Sequence, residues 1–596
     1  MHGTRPAYDW IVRPASPVSA ALAEAAHVAG ISERAARLLA GRGVARPADL
    51  LAHLGDPRAA LHDPRLLPDA AALTARVARA RATGERVLVL GDFDADGLTG
   101  LAILVTTLRR LGLDTGWHVP ARVAEGHGLS VVAIERAAAE GRSLVITVDT
   151  GSSSIAEVEL ASSRGIDVIV TDHHHVPAVP PAAAALVNPH RHDSAYPDPR
   201  LAGSGVAFKV AQLLLAREPG GPAAALDLAD LAIIGTIADV APIAGENRAI
   251  ARLGLARLRQ APRPGIAALL DAAGIAPERV DLERIAFSVA PRLNAAGRLG
   301  DVATAASLLL ATDIASAQDL AARLEVSNRE RRDLTASVLD EVLAAAADLP
   351  PGPVIVAGAW PVGLIGLVAG RLAEDRHAPA IVVATGAEPW RASGRGPSGS
   401  QLAAAFEACA DLLERHGGHP QAAGCQFAAA VFPALRERLL PLLAVPAEHG
   451  EPAATDRRTL LLDLAVDAAE VDYRLLRDID TLGPIAPGDA DALVGIRGLT
   501  VSRVRPAAGG HTSLVLRRGR EVLDAIAFGQ DDLASSLAEG DVIDVAARLD
   551  SRHFGGFETL QLEVRDVAPG GHLARLAGEA EPAPIIAAGT AGRAGG

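Results

Sequence analysis

Three apolar runs in the first third of the chain each end in acid. They read Val89-Leu90-Gly91-Asp92-Phe93-Asp94-Ala95-Asp96-Gly97, Thr147-Val148-Asp149-Thr150-Gly151 and Val170-Thr171-Asp172-His173-His174-His175. A fourth acid, Asp239, follows the apolar run Gly235-Thr236-Ile237-Ala238. Carboxylates gathered at this density repel one another: two unit charges 4 Å apart cost roughly 4 kcal/mol at an effective dielectric of 20. Divalent cations remove that cost. A mixed carboxylate and imidazole set suits Mn2+, with Mg2+ or Zn2+ as alternatives. Two such ions about 3.5–4 Å apart are the standard arrangement for in-line attack of water on a phosphate ester. Asp92, Asp94 and Asp96 alternate, so a locally extended run would turn all three to one side. Taken singly, each residue has a plainer reading, because an Asp after a strand commonly caps a helix. Their joint placement is what favours a metal centre.

That chemistry requires the acids to meet, so the elements carrying them matter. Residues 86–90, 143–148 and 167–170 read as strands, with helical patterns at 98–111 and 155–164 between them. Strand–helix–strand alternation predicts an α/β domain with a parallel sheet and helices on both faces. Its strand ends then share one edge, where open α/β folds hold ligands. Residues 1–80 read as an N-terminal helical region, and 81–310 as the first α/β unit. A long amphipathic helix over about 317–347, within a connecting segment 311–350, leads to a second α/β unit at 351–445. Residues 446–458, with Pro446, Glu448, Gly450 and Pro452, read as a linker. Alternating runs at 513–516 and 559–564 predict a small β-barrel over 459–570. The Gly-, Ala- and Pro-rich residues 571–596 are expected to form a disordered tail.

Composition sets the outer bounds. A chain of 596 residues, 49% of them hydrophobic, has material for several cores. Its two cysteines, Cys409 and Cys425, cannot build a disulfide framework and fit a reducing cytoplasm. The first ten residues carry no charged-then-apolar leader pattern. The uncharged run 354–370 is broken by Gly358, Pro361, Gly363 and Gly366, and reads as strand, turn and helix start, so no membrane is expected. A net charge of −14 excludes a uniformly basic nucleic-acid binder but leaves room for a local arginine stripe. Lys209 is the only lysine.

The acidic motifs together with Asp172-His173-His174 resemble the DHH phosphoesterase superfamily. Four further segments narrow the resemblance to the RecJ family: Glu125-Gly126-His127-Gly128-Leu129-Ser130, Leu201-Ala202-Gly203-Ser204-Gly205-Val206-Ala207-Phe208, Pro291-Arg292-Leu293-Asn294-Ala295-Ala296-Gly297-Arg298 and Gly417-Gly418-His419-Pro420-Gln421-Ala422-Ala423-Gly424. This ordered set spans about residues 10–570. It implies a DHH domain, a DHH-associated domain and an oligonucleotide-binding (OB-like) barrel. The implied activity is 5′-to-3′ digestion of single-stranded DNA to 5′-mononucleotides, in recombination and repair.

Carried over by position, the resemblance implies ligation of two divalent ions, Mn2+ favoured and Mg2+ possible, by Asp94, Asp96, Asp149, His173 and Asp239. Asp149 would bridge the ions and His174 would contact the substrate phosphate or support a ligand. Asp92 would stand as a ligand or behind the ligands, and Asp172 would orient His173. Ser393, Arg395, Gly417, Gly418 and His419 would hold the nucleotide at the 5′ end, with Arg292 and Arg298 along the strand's path. The implied partners beyond single-stranded DNA are single-strand-binding protein and a helicase, and a monomer is the default. The barrel departs from the family in its few aromatics, Phe528, Phe554 and Phe557, and in Pro484-Ile485-Ala486-Pro487-Gly488-Asp489, where a Pro-Phe-Gly type of entry is usual. Two other readings compete: a small-phosphoester hydrolase indifferent to loss of the barrel, and a non-catalytic scaffold, which should have lost metal ligands.

Overall fold

The computed structural model describes residues 6–14, 17–120, 128–261, 263–299, 302–397, 399–443, 459–485, 492–554 and 557–577. Two units divide the chain: Met1–Ala59 with Ala453–Gly596, and Ala60–Pro452.

In the larger unit the first sheet is wholly parallel. Its strands are β1 (Arg86–Gly91), β2 (Asp114–His118), β3 (Leu144–Val148), β4 (Asp167–Thr171) and β5 (Ala185–Val187), in the order β2-β1-β3-β4-β5. The central strands are apolar along their whole length because both faces are covered. On one face, helices α2 (Val131–Ala139) and α3 (Ile155–Ser163) bury Ile134, Val158 and Ala161 against Leu88, Leu90, Val145 and Val170. On the other lies α1 (Ala95–Arg110), which packs with α4 (Gly203–Leu215) and α5 (Ala229–Ala238). The stretch Gly221–Ala238 is long and apolar enough to cross a membrane, yet 67% of it is buried inside the unit, as expected of a core helix.

Helix α6 (Ala290–Leu299) follows a π-helical turn at Ile285–Val289. The connecting helix, α7 (Ile314–Ala346), packs on α6 at one end and on the second α/β layer at the other. That layer is a mixed sheet of β6 (Val354–Gly358), β7 (Ala380–Ala384), β8 (Trp390–Arg395), β9 (Arg415–His419) and β10 (Ala422–Phe427), ordered β9-β10-β8-β7-β6. Only β6 and β7 run parallel. Helix α8 (Val362–Arg376) covers one face; α9 (Leu402–Glu407) and α10 (Phe432–Leu443) cover the other. The uncharged run 354–370 is thus strand, turn and helix, as its glycines and proline predict.

The smaller unit contains a closed barrel of β11 (Leu493–Ala507), β12 (His511–Arg518), β13 (Glu521–Ala527), β14 (Val542–Phe554) and β15 (Phe557–Pro569), which closes where β14 pairs with β11. The N-terminal expectation needs correction. Residues 1–80 are not one helical region. A strand at Asp9–Val12 pairs with Thr459–Leu462, and Leu22, Leu39 and Leu50 from three short helices join the barrel's core. Arg13 and Arg42 hold buried Asp463, and Trp10 donates its indole N–H to Asp566 at 2.8 Å. Helix Ala70–Thr83 belongs instead to the larger unit, where Arg76 bonds Asp167 and Glu85. Helices this short bury little on their own and are stabilised by packing against a larger core. The expected tail begins with a helix, His572–Leu576, that buries Leu573; the linker and residues 578–596 lie outside the described residues.

Candidate active site

Strands β1, β3 and β4 are hydrogen-bonded neighbours, so Asp92, Asp149 and Asp172 leave the sheet side by side at one edge. The chain does not remain extended after Gly91. Asp94 is the N-cap of α1, its Oδ1 accepting from the amides of Asp96 and Gly97 at 3.1 and 3.0 Å. A turn into a helix, not strand alternation, therefore gathers Asp92, Asp94 and Asp96. Asp94 is at once a helix cap and a member of the acidic cluster.

Asp96, in the first turn of α1, is 2% exposed and points at the N-terminus of α4. Its two oxygens accept from the amides of Gly203 at 2.7 Å and Ser204 at 2.9 Å, a favourable seat for a carboxylate. Two glycines make room. A Cβ at Gly203 would stand 2.5 Å from the Asp149 Cβ, and one at Gly235 would stand 2.3 Å from Asp96 Oδ1. Asn294 of α6 accepts from the Ala95 amide at 2.7 Å, tying a third helix to the cluster. Asp149 adopts a left-handed backbone, φ 61°, which costs an ordinary residue free energy and marks a position over-determined by its surroundings.

His173 sits at the centre. Its Nε2 lies 3.1 Å from Asp149 Oδ1 and 3.9 Å from Asp96 Oδ2, and its Nδ1 lies 3.9 Å from Asp239 Oδ2. Asp239 arrives from the C-terminal end of α5 rather than from a strand. Three overlapping triads bring ligand atoms within 4.8 Å of one another: Asp96–His173–Asp239, Asp92–Asp94–Asp149 and Asp149–His173–His174. All the expected ligands are in these sets, together with Asp92 and His174. The expected partner of Asp172 changes, however. Its Oδ1 bonds the His174 ring at 2.8 Å and touches His173 only through the backbone amide.

Burial and mutual repulsion dominate the electrostatics. Burial, followed by the charges of Asp92 and Asp96, pushes the Asp94 carboxyl up to about 6. Burial and then Asp96 and Asp94 push Asp239 up to about 8, and the same causes hold Asp149 well above the carboxylate range. Burial lowers His173 against the pull of Asp96, which favours the neutral ring that a metal ligand needs. The hydrogen bond that His174 donates to Asp172 raises His174 to about 9. Burial alone would raise Asp172, but His174 and Ser152 outweigh it and hold Asp172 at about 2.

Asp149 Oδ1 and His173 Nε2 are buried and neither has a hydrogen-bond partner, although they lie 3.1 Å apart. Buried polar atoms are rarely left so. A carboxylate oxygen and an imidazole nitrogen aimed at the same small volume, ringed by further carboxylates, suit a cation between them. The residues present therefore fit divalent metal.

Known proteins agree with this layout. The DHH family N-terminal domain matches residues 86–236, the DHHA1 domain 352–444 and the RecJ OB domain 462–566. The single-stranded-DNA-specific exonuclease RecJ of Dickeya dadantii is 35% identical over 89% of this chain and 95% of its own length. The chain belongs to the RecJ family. Crystal structures of Thermus thermophilus RecJ in complex with Mn2+ and with Mg2+ superpose with TM-scores of 0.77 and 0.72. They are 31% and 30% identical, each over 94% of this chain, and are matched over 79% and 78% of their own length.

The expected substrate residues of this RecJ-family chain lie mostly on the DHHA1 sheet. Ser393 and Arg395 share a face of β8, with Arg395 bonding the Ser393 hydroxyl at 3.1 Å and the Gly394 carbonyl at 2.8 Å. Across β10, Gly417 aligns with Ser393 through Gly424, and His419 aligns with Arg395 through Ala422. Gly418 points to the opposite face, paired with Ala423. Arg292 is engaged by Glu325 of α7 at 2.6 Å and by the Ser288 carbonyl at 2.7 Å. The Arg298 side chain and residues 125–127 lie outside the described residues, as do the side chains of Phe554 and Phe557 and residues 486–489 of the barrel's entry segment.

Sequence reasoning missed the groups that hold the acids. The Gly203 and Ser204 amides, Asn294, and the buried pair Ser152 and Asn188 all act by supporting others: Asn188 donates to Ser152 and to the His174 carbonyl, and the Ser152 amide donates to Asp172. The signal for the first two was a glycine-rich helix start, which offers free amides to an anion.

Proposed function

We propose that the chain is a metal-dependent exonuclease that digests single-stranded DNA from its 5′ end, releases 5′-mononucleotides and serves recombination and repair in the cytoplasm. The observation that carries the reading is the unsatisfied pair Asp149 Oδ1 and His173 Nε2 inside a ring of buried carboxylates. The 5′ polarity rests on the family resemblance. Two divalent ions, Mn2+ favoured over Mg2+, match the overlapping triads: Asp96, His173 and Asp239 would hold one, Asp92, Asp94 and Asp149 the other, with Asp149 shared. When bound, such ions activate water and offset charge on the phosphate.

The chain's own groups do the rest. His174, held by Asp172, has a side chain 52% exposed against 13% for His173, so it is the ring free to meet substrate. Protonated below about pH 9, it donates to a phosphate or leaving oxygen. Ser393, Arg395 and His419 present hydroxyl, guanidinium and imidazole on one face to a phosphate at the strand's end. The OB domain adds a surface for the rest of the strand. Single-strand-binding protein and a helicase are the partners expected of such an enzyme, and it acts as a monomer.

The test is digestion of a single-stranded oligomer labelled at either end, alongside its duplex, with Mn2+ supplied. Release of the 5′ label as a mononucleotide, with a shrinking 3′-labelled ladder and an intact duplex, supports the reading. Loss of the 3′ label first, or equal digestion of the duplex, refutes it.

A further inference from the structure

The DHHA1 sheet carries more positive charge than the Ser393–Arg395–His419 group uses. Strands β8, β10 and β9 pair antiparallel, and residues directly opposite share a face. Three rows of three result: Arg395–Ala422–His419, Ser393–Gly424–Gly417 and Arg391–Gln426–Arg415. Alternate residues, among them Ala392, Ala423 and Cys425, point the other way into the core beneath α9 and α10.

Helix α8 covers only part of the face. A Cβ on its Gly366 would stand 3.1 Å from Ser393 Oγ and 3.2 Å from Arg395 Nη2, so α8 borders β8, while Arg415, Gly417 and His419 on β9 are exposed. The middle row has no side chain larger than Ser393, and it is exposed at Gly417. None of the nine positions is a carboxylate, in a chain of net charge −14. Elsewhere arginines pair with acids as a rule, as Arg438 does with Asp411 in the same domain. Among the described residues the Arg391 and Arg415 side chains have no ion-pair or hydrogen-bond partner.

We propose that Arg391, Gln426 and Arg415 form a second phosphate subsite, two rows along the sheet from the one at Arg395 and His419. This rests on the single-strand exonuclease reading. Four residues of strand separate the cationic rows by about 13 Å, too far for one phosphate to bridge and suited to two phosphates of one nucleic acid. The Gln426 amide adds a neutral donor between two guanidinium forks, the geometry that phosphate oxygens accept. The second phosphate comes either from the strand's own backbone or from a 5′-terminal polyphosphate.

The experiment uses the full chain with Mn2+ and oligothymidylates carrying a 5′-monophosphate or 5′-triphosphate. It compares wild type with Arg391→Gln/Arg415→Gln, and with Arg436→Gln/Arg438→Gln as a control for loss of two charges on α10. The subsite predicts that KM rises roughly tenfold in the first pair at unchanged kcat and melting temperature, the loss expected for charge-assisted hydrogen bonds. The salt dependence of binding should also flatten by about one charge or more. A backbone source gives equal losses on both ends, growing with length beyond a dinucleotide. A polyphosphate source gives a wild-type preference for the triphosphate that the variant loses. Unchanged KM and salt slope, or losses matched by the control pair, would overturn the subsite while wild-type digestion leaves the exonuclease reading standing. No digestion by the wild type would remove both.

Discussion

His173 Nε2 and Asp149 Oδ1 face each other at 3.1 Å, both buried, and neither is hydrogen-bonded. Around them the fold invests in holding acids together: two amides on Asp96, a helix N-terminus on Asp94 and a strained backbone at Asp149. Such an arrangement is destabilising without cations and so trades stability for function.

Asp149→Asn should abolish digestion and raise the melting temperature of the metal-free chain. It replaces a carboxyl whose charged form burial, Asp96 and Asp94 all oppose, and Asn tolerates the left-handed backbone at this position. The gain should be about 1 kcal/mol. Thermal denaturation in chelator reads it; a lower melting temperature would mean that Asp149 is structural.

Metal binding should tighten with pH. Asp94 and Asp239, raised to about 6 and about 8, hold protons that a cation must displace. The sign for the metal-free chain follows from the same shifts. With folded values above the unfolded 3.8, these acids contribute stability that is complete below 3.8 and lost as pH rises through about 6 and about 8. The gain in melting temperature on adding Mn2+ should therefore grow steadily from roughly pH 5.5 to 9. Differential scanning across that range checks it, and a flat gain would contradict it.

Asp172→Asn should release His174. The bond it donates to Asp172 holds the imidazole at about 9, and the variant ring should titrate near its ordinary value, read by NMR. The pair's contribution to stability is full between the unfolded values of 3.8 and 6.5. It fades as pH rises through about 9 or falls to about 2. Digestion by the variant should fall off at a lower pH than in wild type. An unmoved His174 titration would place its cause elsewhere.

Gly203→Ala should fold yet lose most activity. The added methyl meets the Asp149 Cβ at 2.5 Å, and the backbone shift that relieves it misaligns the amides on Asp96. Overpacking of this kind costs about 1–3 kcal/mol. Unfolding curves and digestion rates measured together test it; full activity would show that the contact relaxes at no cost to the site.

The acids were legible because apolar strands ending in Asp announce a sheet edge, and β1, β3 and β4 are indeed neighbours. The way they converge was not. Whether Asp94 continues a strand or caps a helix depends on its hydrogen bonds to Asp96 and Gly97, which no alternation pattern reveals. The exchange of His173 for His174 as the partner of Asp172 is a rotamer choice between adjacent identical residues. The barrel's union with residues 9–54 joins Asp9 to Thr459, a pairing without local signal. The basic rows of the DHHA1 sheet become visible only once strand register is known.

The most direct test of the metal centre is calorimetric titration of the metal-free chain and of Asp149→Asn with Mn2+. Two ions should bind per wild-type chain, with proton release, and the variant should lose at least one ion together with digestion. Wild-type protein that binds no Mn2+, or a variant that binds it unchanged, would contradict the claim that this acidic cluster is the metal centre.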